Sequence, residues 1–405
     1  MSGSLEAIRV SDHVYWVGAI DWELRNFHGY LTTRGTTYNA FLLMGESITL
    51  VDTVKAPFRQ EMLTRIASVV DPARIETIIS NHSEMDHSGC LPQIIEQLKP
   101  KRVLASQQGA KALEAHFRIG SRIEPVAEGQ TVNLGGLDVT FVETRLCHWP
   151  DSMFSYLHQD RVLFSQDGFG MHLATSEMFA DQVERWLLDH EADKYFANIL
   201  LPLANFINKT LDKVGKLNLP LDVIAPDHGP IYRRKQDIEH IVGLYARWAA
   251  QKRLPKAVIV YDTMWSSTAA MAAAIGDGIK TEGAEVILMP LASCHRSDVA
   301  TEILEAGALV VGTPTMNGTM FPTLGDVMTY LKGLKPKGMV GATFGSYGWS
   351  GEGAKEAATI LQQMGVELLA EPLQVQYVPD EAALARCHEL GRVIGKKLKT
   401  SYTPR

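Results

Sequence analysis

"NHSEMDHSG", residues 81–89, places His82, Glu84, Asp86 and His87 within six positions. All four side chains bind metals, and such a cluster is costly to bury without one. Donors at 82, 84 and 86 recur every second residue. In an extended or looping segment they converge, with His87 turning away to face a second ion. The following "SGCLPQIIEQL" predicts a helix, with Ser88 as a possible N-cap and Pro92 in its first turn. The cluster is therefore expected at a strand-to-helix turn.

Matching donors stand at the ends of other predicted strands. His148 follows "VETRLC", Asp167 follows "RVLFSQ", and His228 follows "DVIAP". Seven donors thus come from four loops at one edge of the sheets, which suits two ions, with Asp167 able to bridge them through its two oxygens. Up to about residue 250 the text alternates short β-rich runs with turns, and helical stretches are expected at 91–99 and 176–192. This predicts two packed sheets covered by helices. The polar "RWAAQKRLPKA" beginning at Arg247 marks a boundary, giving domains at 1–250 and 255–405.

Beyond it the grammar changes. "AVIVYD", "AEVILMPL", "GALVVGTPT", "KGMVGATFGS" and "ELLAEPLQV" are five apolar strands separated by helices. They predict a doubly wound parallel sheet, with its ligand at the carboxyl ends of the strands. In "YDTMWSSTAAMA" a hydroxyl-rich turn joins a strand to a helix. Backbone N–H groups and the hydroxyls of Thr263, Ser266, Ser267 and Thr268 can cradle a phosphate there. The absence of G-x-G-x-x-G disfavours a dinucleotide. The turn, with Met264, Trp265 and Ser266 inside it, resembles the flavodoxin phosphate loop. Two further loops fit FMN: Pro314, Thr315, Asn317 and Gly318 in one, Ser346, Tyr347, Gly348, Trp349, Ser350 and Gly351 in the other.

Composition limits the alternatives. A net charge of −7 argues against general nucleic-acid binding. No run is apolar enough to span a membrane, and the start shows no secretion signal. The four cysteines form no CxxC and read as reduced thiols of a cytoplasmic protein.

The pattern H-x-E-x-D-H, followed by isolated His, Asp and His at strand ends, resembles the metallo-β-lactamase fold. Zinc hydrolases of that fold carry a histidine where Glu84 stands. A carboxylate makes the site harder and favours iron. The resemblance implies His82, Glu84 and His148 on one iron, and Asp86, His87 and His228 on the other, with Asp167 shared. His87 is the peripheral ligand of this set, replaceable by water. Joined to a flavodoxin-like domain, this resembles the flavodiiron proteins over essentially the whole chain. "DWELRNFHGY", "GTTYNAFLL", "HWPDSMFSY" and "SYGWSGEG" agree with it.

The resemblance implies an αββα metallo-β-lactamase-like sandwich followed by a flavodoxin-like five-stranded sheet. It also implies FMN, a non-haem diiron site, and reduction of O2 to water, of NO to N2O, or both. The expected electron donor is rubredoxin or a reduced deazaflavin, and the expected assembly a homodimer or dimer of dimers. His28, Tyr30 and Tyr195 are candidate pocket residues, with His28 and Tyr195 offered as catalytic. The rival readings are a zinc hydrolase with a passenger domain and an electron carrier without catalysis.

Overall fold

The computed structural model describes residues 5–120 and 122–402. They form two compact units. The first takes the chain up to His28, Thr32–Tyr195 and Asn205–Ala246; the second takes Gly29–Leu31, Phe196–Ala204 and the chain from Arg247 onward. The expected division at 1–250 and 255–405 treated each domain as one continuous run. The two short insertions into the second unit have no signature in composition.

In the first unit a seven-stranded sheet has the order Ile8–Arg9, Val14–Trp16, Phe41–Met44, Ile48–Val51, Ile75–Ser80, Arg102–Ser106, Glu124–Val126. A five-stranded sheet runs Thr131–Asn133, Asp138–Glu143, Met153–Leu157, Val162–Phe164, Val223–Ala225. Successive residues of a strand face opposite sides, and here both sides are apolar. Phe41, Leu43, Val51, Ile79 and Leu104 pack with Val139, Phe141, Leu157 and Phe164 of the other sheet. Their neighbours Leu42, Leu50, Ile78 and Val103 pack the other way, against Met62, Leu63 and Ile66 of helix Arg59–Ala67 and Leu91, Ile94 and Ile95 of helix Leu91–Leu98. Truncating Phe41, which is fully buried between the sheets, to alanine would cost about 3–5 kcal/mol.

Two local expectations differ from the structure. The predicted helix over 176–192 begins only at Arg185 and runs to Tyr195. Before it, Phe179 bridges to Ile231 and a short 3-10 turn covers Ala180–Gln182. Tertiary pairing overrides helical pattern there. Ser88 is not an N-cap. It lies at the end of a short helix, Met85–Ser88, and its hydroxyl donates back to the carbonyls of Ser83 (2.7 Å) and Glu84 (2.9 Å). Helix Leu91–Leu98 starts after Cys90, with Pro92 in its first turn as expected.

The second unit is a parallel sheet in the order Glu285–Pro290, Leu254–Tyr261, Ala306–Gly312, Val340–Tyr347, Glu367–Leu368. This is the flavodoxin-like doubly wound order. Six strands replace the expected five. "ELLAEPLQV" breaks into Glu367–Leu368 and Leu373–Gln376, both paired with Val340–Tyr347. Pro372, lacking an N–H, falls in the break. Among the described residues no helix is long and apolar enough to cross a membrane.

Candidate metal centre and flavin loops

Four strands of the first unit, Ile75–Ser80, Asp138–Glu143, Val162–Phe164 and Val223–Ala225, send their C-terminal ends to one edge. The loops that leave them carry His82, His148, Asp167 and His228. Buried polar residues fix these loops. Asp52 accepts from the backbone N–H and side-chain amide of Asn81, both at 2.7 Å, which holds the residue before His82. Asn39 donates to the carbonyls of Pro226 (2.7 Å) and Gly229 (2.9 Å), on either side of His228. Gln166 donates to the Cys147 carbonyl and accepts from Asp167 N–H, so the His148 and Asp167 loops are joined.

The seven donors form two groups: His82, Glu84, His148 and Asp167; and Asp86, His87 and His228. Asp167 Oδ2 lies 2.9 Å from His148 Nε2 and 3.4 Å from His82 Nε2. Its Oδ1 lies 3.2 Å from His87 Nε2 and 3.4 Å from His228 Nε2. One carboxylate thus faces both groups. Glu84 Oε2 is 3.4 Å from His82 Nε2 and 3.3 Å from His148 Nε2, and Asp86 Oδ2 is 3.2 Å from His228 Nε2. His87 faces the second group, its Nε2 3.4 Å from Asp86 Oδ1 and 3.2 Å from Asp167 Oδ1. Asp86, which the two-residue spacing alone placed with positions 82 and 84, joins that second group instead, because the chain enters the one-turn helix Met85–Ser88 after Glu84.

The outer nitrogens are held as well. His82 Nδ1 is 3.2 Å from Asp151 Oδ2, and His228 Nδ1 is 2.6 Å from the Thr37 carbonyl. His87 Nδ1 only faces Asp227 Oδ2, at 3.5 Å and without a hydrogen bond. Carboxylates and carbonyls at these positions fix imidazole orientation and raise ligand basicity.

The residues fit metal ions. Both oxygens of Asp86, both nitrogens of His87 and Oδ1 of Asp167 are buried with no hydrogen-bond partner among the described residues. Each such group left unsatisfied costs about 1–3 kcal/mol. Burial opposes charge on His87, yet the charges of Asp86, Asp167 and Asp227 push its pKa up to about 10. Burial also opposes charge on Glu84, but the hydrogen bonds and charges of His148 and His82 hold it well below the usual carboxylate range. A site that attracts protons to His82, His87 and His148 and keeps Glu84, Asp86 and Asp167 ionised is one that cations stabilise.

His28 and Tyr195 take different positions. His28 is exposed, with Nε2 3.4 Å from Glu84 Oε1. It lines a cavity of about 390 Å³ with Phe27, Lys55, Glu84, Asp86 and Trp149. Tyr195 is buried, its ring 5.1 Å from that of His172 and 6.2 Å from that of His228. Burial, then the charge of Asp167, drives its hydroxyl pKa well above normal. Tyr30 is buried. His172, which no sequence motif marks, lies buried beside the metal donors, its ring 4.6 Å from that of His228, and Thr36 Oγ1 touches both Nδ1 atoms at 2.9 and 3.2 Å. Burial, then His228, pushes its pKa well below normal. Its place five residues after Asp167 was the available signal. His116 also lines the cavity.

In the second unit the three loops meet at the ends of parallel strands. Thr263–Ser266 precedes helix Ser267–Thr281, whose N-cap, Ser266, has φ 66° and makes no side-chain cap bond. The first N–H groups of that helix stay open to an anion. Thr263 Oγ1 is buried with no partner, an orphan suited to a bound phosphate or ring. Thr268 Oγ1 lies 3.2 Å from Ser346 Oγ. Asn317–Gly318, both at positive φ, turn a small hairpin that follows Pro314 and contains Thr315. Gly353 N–H donates to Thr315 Oγ1 at 3.2 Å, joining the second and third loops. Met264 is exposed, while Trp265 and Trp349 are 90% and 89% exposed. Tyr347, Gly348, Ser350 and Gly351 form the third loop between strand Val340–Tyr347 and helix Glu352–Gln363.

Residues 36–229 match a family model described as ODP family beta lactamase, and residues 259–391 match a flavodoxin model. The chain is 44% identical over 397 residues to a nitric oxide reductase of Moorella thermoacetica, covering 97% of this chain and 99% of that one. The fold is similar to that of a rubredoxin oxygen:oxidoreductase from Desulfovibrio gigas, with TM-score 0.95, 41% identity, and coverage of 98% of this chain and 99% of that one. It is also similar to a flavodiiron protein from Giardia intestinalis, with TM-score 0.94, 29% identity, and coverage of 98% and 97%.

Proposed function

The chain belongs to the flavodiiron protein family, and from that premise we propose how its own residues serve the reduction of O2 to water, of NO to N2O, or of both. It is an oxidoreductase with FMN and a non-haem diiron site. When bound, a pair of ferrous ions would supply two electrons, one each, and reduced FMN two more, enough for O2 + 4 e⁻ + 4 H⁺ → 2 H2O or, two at a time, 2 NO + 2 e⁻ + 2 H⁺ → N2O + H2O. The observation that carries the residue assignment is the single carboxylate of Asp167 facing two groups of donors.

In this reading His82, Glu84 and His148 would hold one iron, Asp86, His87 and His228 would hold the other, and Asp167, which faces both groups, would serve both. Seven nitrogen and oxygen donors without a thiolate suit iron. That donor set and the flavodoxin-like unit favour this reading over a zinc hydrolase. Tyr195 keeps its proton at neutral pH and serves as a hydrogen-bond donor beside His228. His28, exposed beside Glu84, passes protons in from solvent at Nε2. His172 stays neutral and, through Thr36, keeps the His228 ring in place. Thr263 to Thr268 hold the FMN phosphate; Pro314, Thr315, Asn317, Gly318 and Ser346 to Gly351 hold the ring.

The electron donor is rubredoxin, with a reduced deazaflavin as the second choice; the name of the Desulfovibrio gigas relative supports the first. Free cysteines support a reducing cytoplasm, and the family resemblance supports a homodimer or a dimer of dimers.

The test is composition, then turnover. Purified protein is expected to hold about two irons and one FMN per chain, and to consume O2, or NO in the absence of oxygen, when supplied with reduced donor. Zinc at full occupancy in protein made with ample iron, without redox activity, would sink the reading. Metal should also stabilise. A ligand at a thousand times its Kd adds about 4 kcal/mol. Scanning calorimetry of metal-free protein should therefore show the first unit melting about 10 °C higher once ferrous iron is added.

A further inference from the structure

Among the described residues, no backbone hydrogen bond closes the third flavin loop, 347–351, on itself. It is bound along its flank by strand Leu373–Gln376 and the residue after it. Tyr377 N–H donates to the Tyr347 carbonyl at 2.7 Å. Gln376 Nε2 donates to the Gly348 carbonyl at 2.8 Å. Gln374 Nε2 donates to the Gly351 carbonyl. Tyr377 has φ 59°, an uncommon conformation for an aromatic residue, and is well exposed. The segment is therefore shaped to reach this loop.

The consequence follows from peptide geometry. In a trans peptide the C=O and the next N–H point in opposite directions. Three carbonyls of the loop are drawn toward Gln374–Tyr377. The N–H groups of Gly348, Trp349 and Glu352 are thereby turned to the other side. On that side lies the second flavin loop, since Gly353 N–H meets Thr315 Oγ1 and a Cβ at Gly353 would sit 3.2 Å from the Pro314 carbonyl.

We propose that Gln374 and Gln376 are positioning residues for the flavin: they hold the carbonyls of Gly351 and Gly348 away from the cofactor, so that the loop offers it N–H donors. This rests on the reading that FMN occupies the three loops. Oxidised FMN has a neutral ring, and the two-electron reduced ring is anionic at neutral pH. Donors aimed at a developing negative charge stabilise it, and carbonyl oxygens in the same place would repel it. The two glutamines therefore favour the reduced cofactor over the oxidised one, without touching it.

The experiment compares full-length Gln376→Met, Gln374→Met and the double variant with the parent protein. Methionine keeps length and removes the donor. FMN affinity is measured in both redox states, with the midpoint potential and Tm. Gln376→Met should bind oxidised FMN nearly as well as the parent but hold reduced FMN about tenfold more weakly. Its two-electron potential would then fall by about 30 mV. The double variant should fall further, and Gln376→His, which keeps a neutral donor, should recover much of the shift. An unchanged potential in variants that retain FMN overturns the inference. So does equal loss of affinity in both states with a lower Tm, the mark of a merely structural role, in which case Gln376→His would restore Tm alone. Failure of the parent protein to bind FMN would instead sink the underlying assignment, and this inference with it.

Discussion

Asp167→Ala is expected to lose both irons, whereas His87→Ala loses at most one. Asp167 is buried and places one oxygen within 3.4 Å of two imidazoles of the first group and the other within 3.4 Å of two of the second. Its removal takes a ligand and a negative charge from each ion at once, and leaves the two cations without the anion between them. Loss of a residue that merely orients a ligand costs 10- to 100-fold in affinity. Loss of a shared ligand should therefore exceed about 100-fold at each site. His87 offers one nitrogen to one group, and water can take its place. Iron per chain, measured beside FMN per chain, separates the outcomes. FMN should remain in both variants because its loops belong to the other unit. Equal iron loss in the two variants would overturn the ranking of Asp167 above His87.

The metal donors were legible because their residue types are uncommon in such company. His82, Glu84, Asp86 and His87 are neighbours in sequence, and His148, Asp167 and His228 each close an apolar strand. The side to which Asp86 turns was not legible from the two-residue spacing. It depends on a single turn of helix that four residues could equally leave extended, and the backbone decides it through Ser88. The supports Asp52, Asp151 and Asp227 are ordinary acidic residues until folding brings Asp52 against Asn81 and the other two behind histidines. Asp227 shows what that placement does. Burial, then the charge of Asp52, raises its pKa well above normal, a state no local pattern encodes. His172 escaped for the same reason, since its partner Thr36 is 136 residues away.

The second unit was read strand by strand because parallel strands buried on both faces are apolar throughout. Ala306–Gly312, buried along its whole length, shows this plainly. What pattern could not supply was the break at Pro372 and the use of the following strand. Gln374 and Gln376 look like solvent-facing residues of an edge, and only the carbonyls of Gly351 and Gly348 give them a role.

The other large effect is recovery of activity in a mixed dimer. Trp265 and Trp349 leave wide aromatic faces uncovered beside the flavin loops, more than nearly any other large apolar side chain of the described residues. We propose, on the resemblance to flavodiiron proteins, a head-to-tail pair in which the FMN of one chain serves the irons of its partner. One chain would carry His82→Ala with Asp167→Ala and keep its FMN. The other would carry Ser267→Asp with Thr268→Val, placing a negative charge and a lost hydroxyl where the phosphate binds, and keep its irons. Each homodimer should be inactive, one for want of irons and the other for want of flavin. The isolated hybrid, tagged differently on its two chains, contains one intact flavin and one intact metal centre on opposite chains. Transfer between chains makes it active at about half the parent rate per dimer, since one of two pairs is complete. Transfer confined within a chain leaves it as inactive as the homodimers, because neither chain then holds both ends of the path. Iron and FMN contents of the hybrid distinguish that result from simple loss of a cofactor.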